Sequence, residues 1–222
     1  QALSGGIYVL LFDEWSYERT FDEGSVSDRY PHLAEFAGMA TTYGDARSPA
    51  GCTEASVPGI LFQTNDPVVV DRGRFGFSHQ GEFVSARRMP SMFSRLKPLG
   101  MHSAMLGFAL PYPCWLADTV EVCRSYCYYP RSEHIGSRLG LHLLNAWRYV
   151  PDPWSRRGYK QVETPVVHAL LSDIIDGTRR DAETVIREWP ANTFLFVHMH
   201  LPHMPAIINA DLSVRSLPET VW

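Results

Sequence analysis

Long apolar runs are missing from this chain of 222 residues. The longest near its start, Ile7 to Phe12 in "GIYVLLFDEWS", falls far short of the roughly 20 residues that cross a bilayer. A basic segment followed by an apolar one is also missing, so no signal peptide is read here. No block of lysine and arginine stands out. With a net charge of -4, the chain carries no electrostatic footprint for nucleic acid. Cys52, Cys114, Cys123 and Cys127 include no Cys-x-x-Cys pair, which argues against a structural zinc site. There is no His-Glu-x-x-His, no internal repeat and no low-complexity stretch. The chain opens at Gln1 without a methionine, which reads as a processed or excised form, with any membrane anchor outside these residues.

What is present describes an ordinary globular protein. Hydrophobic residues make up 45% and charged residues 20%, and the length can bury a full core, as one domain or part of a larger one. Three cysteines crowd into "YPCWLADTVEVCRSYCYYP". The four together are compatible with two disulfides in an oxidising compartment, and equally with four reduced thiols.

Along the chain, strand-like and helix-like patterns alternate. "GIYVLLFDEWS" reads as a buried strand that ends abruptly in acids. "YPHLAEFAGMA" has Leu33, Phe36 and Met39 near helical spacing after a proline. "ATTYGDARSPAG" reads as a short strand running into a loop. "EASVPGILFQT" reads as a helix with Pro58 in its first turn. "SMFSRLKPLG" predicts a helix ending at Gly100, and "HSAMLGF" a strand. Residues 110–160 look like an irregular, aromatic and Cys-containing insertion. "TPVVHALLSDIIDGTRRDAETVIREW", opened by Thr164-Pro165, is the longest helical pattern, and "NTFLFVHMHLPHMP" is a second buried strand. The alternation predicts an α/β fold with a mainly parallel sheet covered by helices on both faces. In such sheets, function collects at the carboxyl ends of the strands.

Three polar clusters fall at those ends. Asp13-Glu14 follow the first strand, either as the start of an acidic loop or as oxygen ligands for a divalent cation. "GCTEASVPGILFQTND" places Cys52 and Thr53 at a helix start. There a hydroxyl either caps the helix or acts as a nucleophile beside backbone N–H groups that favour an anion. His198, His200 and His203 close the last strand, as a histidine-rich strand end or as groups that meet a metal or an anionic oxygen.

Taken in order, "IYVLLFDEWSYERTFD", "YPHLAEFAGMATTYGDARSP", "TEASVPGILFQT" and "FLFVHMHLPHMP" resemble the sulfatase-like branch of the alkaline phosphatase superfamily. That branch includes sulfatases and the phosphoethanolamine and phosphoglycerol transferases. The resemblance covers the first strand-helix-strand-helix block and the last strand, with residues 110–160 hardly matched. It implies a large α/β sandwich with a metal site at the carboxyl edge of its sheet. Asp13 matches the first metal-ligand acid and Glu14 the place of a second one. Thr53, in Thr53-Glu54-Ala55-Ser56-Val57-Pro58, matches the nucleophile and metal ligand of the transferases. His203, in Pro202-His203-Met204-Pro205, matches a histidine that contacts the anionic group, with His198 as a further substrate-binding residue.

The resemblance also has gaps. A formylglycine motif would need Pro or Ala and then Arg after Cys52, and Glu54 and Ser56 stand there instead. The Lys and His that sulfatases carry after the next strand are replaced by "LGFALPYP". The family's Asp-His motif occurs nowhere, so the chain is expected to be the N-terminal portion of a longer catalytic domain. The expectation is a hydrolase or transferase acting on phosphate esters, and less on sulfate esters, that are lipid- or glycan-linked. It would use zinc, manganese or calcium in an extracytoplasmic compartment. The alternatives are a sulfatase with an atypical site and a non-catalytic binding domain.

Overall fold

The computed structural model describes residues 5–126 and 153–202, with residues 153–170 and Pro202 described by backbone alone. The chain begins with β1 (Ile7–Asp13), a short helix α1 (Tyr17–Thr20) and a small hairpin of β2 (Phe21–Asp22) and β3 (Ser25–Val26). Helices α2 (Pro31–Ala37) and α3 (Thr53–Phe62) follow, then three antiparallel strands, β4 (Val68–Asp71), β5 (Arg74–His79) and β6 (Glu82–Ser85). Next come α4 (Met92–Leu96), β7 (His102–Phe108), α5 (Tyr112–Leu116) and β8 (Val122–Tyr126). The described chain ends with the long helix α6 (Pro153–Glu188) and β9 (Thr193–Pro202).

The apolar strands make one parallel sheet in the order β1-β9-β7-β8. Alternate residues of β9 bury on opposite faces, as a strand covered on both sides must. Phe194 and Phe196 pack with Met105 of β7, with Val57, Leu61 and Phe62 of α3, and with Tyr112, Trp115 and Leu116 of α5. Leu195 and Val197 turn the other way, onto Ala104, Leu106 and Val185 of α6. Each such side chain contributes about 1.5–3 kcal/mol by leaving water, which makes β9 the anchor of both layers. The predicted α/β class and parallel sheet flanked by helices are therefore observed.

Several local expectations are corrected. Residues 110–126 are not irregular: α5 packs on the sheet and β8 extends it. Helix α6 begins at Pro153 rather than at Thr164, because the stretch from Trp154 to Val162 holds one glycine and no other breaker. A proline is as acceptable at residue 153, in the first turn, as a Thr-Pro start would be later. Pro58 stands in the second turn of α3, where it removes the bond its position would give to the Glu54 carbonyl. Residues 41–50 form no strand. Helix α2 exists as predicted but buries none of its residues, and Phe36 and Met39 are exposed.

The β4–β6 meander was not anticipated. Its two turns, Arg72-Gly73 and Gln80-Gly81, place both central residues at positive φ, the geometry that joins two adjacent strands most tightly. The meander closes the α3 layer through Phe62 and Phe77 in edge contact (centroids 5.2 Å apart) and Phe75 stacked on Trp115 at 3.9 Å.

Candidate functional site

β1 ends at a break in its pairing. Its register with β9 runs from Ile7 opposite Phe194 to Phe12 opposite Met199, then shifts so that Asp13 lies opposite Pro202. Glu14 follows with φ 58°, a left-handed conformation that a carboxylate-bearing residue adopts at some cost. The shift and the turn together place Asp13 as the last paired residue of β1, at the carboxyl end of the sheet.

Helix α3 meets Asp13 from the side. Cys52 is its N-cap, with extended backbone and no side-chain cap bond, so Thr53 is the first helical residue. The Thr53 hydroxyl does not cap its own helix. It donates to Asp13 Oδ1 at 3.1 Å, across 40 residues of sequence. Of the two readings the sequence allowed for Thr53, the helix cap is the one this geometry removes.

From the sheet, His198 approaches the same carboxylate. It lies in β9 opposite Leu11 and is 1% exposed, with Nε2 3.9 Å from Asp13 Oδ2. Its Nδ1 lies 2.6 Å from the Tyr112 hydroxyl, also fully buried. Burial first, and then the Asp13 charge, push the Tyr112 phenol well above its ordinary pKa, so it stays protonated.

Asp13, Thr53 and His198 line a cleft of about 730 Å³ together with Glu14, Arg47 and Cys52 among others, and Tyr112 lies behind it. Arg47 was not singled out from the sequence, since an arginine in a Gly/Pro/Ser loop has no periodic pattern to mark it. Tyr112 was also missed, because residues 110–160 read as an insertion. His200, expected beside His198, is buried edge-on against Phe108, with centroids 4.5 Å apart, and does not line the cleft. His203 lies outside the described residues.

Cys52, Cys114 and Cys123 carry free thiols, and Cys127 lies outside the described residues. Burial pushes the Cys123 thiol up to about 12, which makes it inert at neutral pH. Among the described residues, no group of three or more His, Cys, Asp or Glu side chains is arranged to hold a metal ion. Asp13 Oδ1 and the Thr53 hydroxyl bring two oxygen atoms within 3.1 Å of each other, donors of the kind a hard divalent ion takes. Among the described residues, no helix is long and apolar enough to cross a membrane.

No family model, no curated protein and no solved structure matches this chain.

Proposed function

We propose that this chain carries the nucleophile side of a metal-dependent hydrolase or transferase acting on phosphate esters, with Thr53 as the attacking group. The observation that carries the reading is the 3.1 Å bond from the Thr53 hydroxyl to Asp13 at the mouth of an open cleft. Under this reading, the four-stranded sheet is part of an alkaline-phosphatase-like sandwich. Its substrate is an anionic ester, lipid- or glycan-linked, met in an extracytoplasmic compartment.

In the proposed step, Asp13 Oδ1 accepts the Thr53 proton as Oγ1 attacks phosphorus. The new Oγ1–P bond forms as the bond from phosphorus to the leaving alcohol's oxygen breaks, and that oxygen takes a proton from water in the open cleft. The opening residues of α3 and Arg47 line the cleft, so the helix N-terminus and the guanidinium would bring positive charge to the transferred anion. Asp13 and Thr53, with Glu14 at the same edge, would hold a divalent cation, which would supply positive charge to ease ionisation of the Thr53 hydroxyl and screen the ester. Water or an acceptor alcohol then releases the group from Thr53.

The test compares wild type, Thr53→Ala and Cys52→Ser in the full chain, on a phosphodiester and an aryl sulfate. The reading expects Thr53→Ala to lose roughly 10³-fold or more in turnover of the phosphodiester, with Cys52→Ser near wild type. Retained turnover in Thr53→Ala sinks it. Aryl sulfate turnover with a formylglycine mass change at Cys52 would point to an atypical sulfatase instead. Wild type inactive on both esters and without a stoichiometric divalent ion would point to a binding domain.

A further inference from the structure

The site described so far leaves the buried Tyr112 hydroxyl without a chemical role. Four features of the sequence bring it there. β7 ends at Phe108, and Ala109 then takes φ 62°, a conformation uncommon outside glycine. The turn is closed by Leu110 N–H donating to the Phe108 carbonyl and Tyr112 N–H donating to the Leu110 carbonyl, at 2.7 and 2.9 Å. The Ser125 hydroxyl of β8 ties down the Leu110 carbonyl. Finally, Gly107 leaves the space for the ring: a Cβ there would stand 2.0 Å from Tyr112. The chain thus folds back over its own strand and delivers a phenol to a histidine 86 residues away, at 2.6 Å.

We propose that Tyr112 and His198 form a positioning pair that holds His198 in the tautomer with its proton on Nε2 and thereby orients the Asp13 carboxylate toward Thr53. Because Nε2 faces a carboxylate, the proton shared at 2.6 Å is assigned to the phenol, which donates to His198 Nδ1. A neutral imidazole that accepts at Nδ1 carries its hydrogen on Nε2. That nitrogen is the one facing Asp13 Oδ2, 3.9 Å away, so the pair presents a donor to a carboxylate rather than a lone pair. The opposite tautomer would set the Nε2 lone pair against the Asp13 oxygens. Oδ1 accepts from Thr53 while Oδ2 lies 3.9 Å from Nε2, too far for a direct hydrogen bond, so the histidine biases the carboxylate's orientation by charge–dipole attraction. Groups behind a functional carboxylate commonly act in this way, with losses of about 10–100-fold when they are removed. The catalytic consequence rests on the reading of Asp13 and Thr53 above, whereas the tautomer does not.

The experiment uses the full chain labelled with ¹⁵N at histidine, in wild type and Tyr112→Phe. The His198 resonances are assigned by their loss in His198→Gln. Phosphodiester turnover is measured on the same samples, and backbone amide spectra report whether β7 and β9 are intact. Expected are an Nε2–H tautomer in wild type, a shift toward the Nδ1–H form in Tyr112→Phe, and about a tenfold fall in kcat with KM nearly unchanged. An Nδ1–H tautomer in wild type, or an unchanged tautomer in Tyr112→Phe with intact strands, overturns the proposal. If Tyr112→Phe disturbs the strands, the wild-type tautomer alone decides. If the tautomer shifts as expected while Thr53→Ala remains active, the positioning pair stands and the nucleophile assignment falls.

Discussion

Thr53 and Cys52 are neighbours in sequence, but one position along a helix start separates a bonded hydroxyl from an exposed thiol. The N-cap residue has extended backbone and points away from the helix path, whereas the first helical residue presents its side chain to whatever lies beside the axis. Here that neighbour is Asp13. Under the proposed function, chemistry at Oγ1 needs the hydroxyl and not the methyl group of Thr53. Thr53→Ser is expected to keep turnover within about tenfold of wild type, while Thr53→Ala loses it, in a steady-state assay of the full chain. Asp13, Glu14 and Thr53 were legible in the sequence because each follows a clear strand end or opens a clear helix. The bond between Asp13 and Thr53 was not, since it joins residues 40 apart and depends on a shift in strand register. Arg47 and Tyr112 had no pattern to mark them at all.

At the scale of elements, β7 and β9 were legible because strands buried on both faces read as mostly apolar runs, Ala104–Phe108 and Phe194–Val197 at their centres. The β4–β6 meander escaped notice because its strands are short and its turns use Arg-Gly and Gln-Gly rather than the stronger Asn-Gly signal. The extent of α6 was misread because a Thr-Pro pair marks a helix start only where the preceding residues resist helix. The turn after β7 is the element on which the site most depends. Gly107→Ala would drive a methyl group into the Tyr112 ring and is expected to cost about 1–3 kcal/mol in urea unfolding, as overpacking does. The same variant should lower phosphodiester turnover, since the ring it displaces holds His198. Phe196→Ala tests the sheet itself. It empties a fully buried site in β9 and is expected to cost about 3–5 kcal/mol by the same measurement.

Across the whole molecule, the buried acidic groups set a limit at high pH. The Cys123 thiol rises from its ordinary 9.0 to about 12 by burial first and then by the proximity of Cys114. The Tyr112 and Tyr126 phenols are also raised, in both cases chiefly by burial. A group whose folded-state pKa is raised keeps its proton longer in the native state, so the unfolded state binds fewer protons once pH passes the unfolded value. The stability Cys123 contributes is thus complete below about pH 9 and is lost as pH climbs toward about 12. Urea midpoints should fall across that window, and Cys123→Ala should flatten the fall while lowering the midpoint at neutral pH. A slope unchanged by Cys123→Ala would remove this residue from the explanation.

The nucleophile assignment is tested most directly by the covalent state of Thr53 during turnover. The full chain, supplied with a divalent cation and a slowly released phosphodiester, is quenched and digested, and the peptide spanning Cys52 and Thr53 is sequenced by mass spectrometry. With Thr53 as nucleophile, an adduct carrying the transferred phosphoryl group is expected on the Thr53 oxygen and is absent from Thr53→Ala. Turnover with no adduct at Thr53, or with the modification on Cys52, would contradict that assignment.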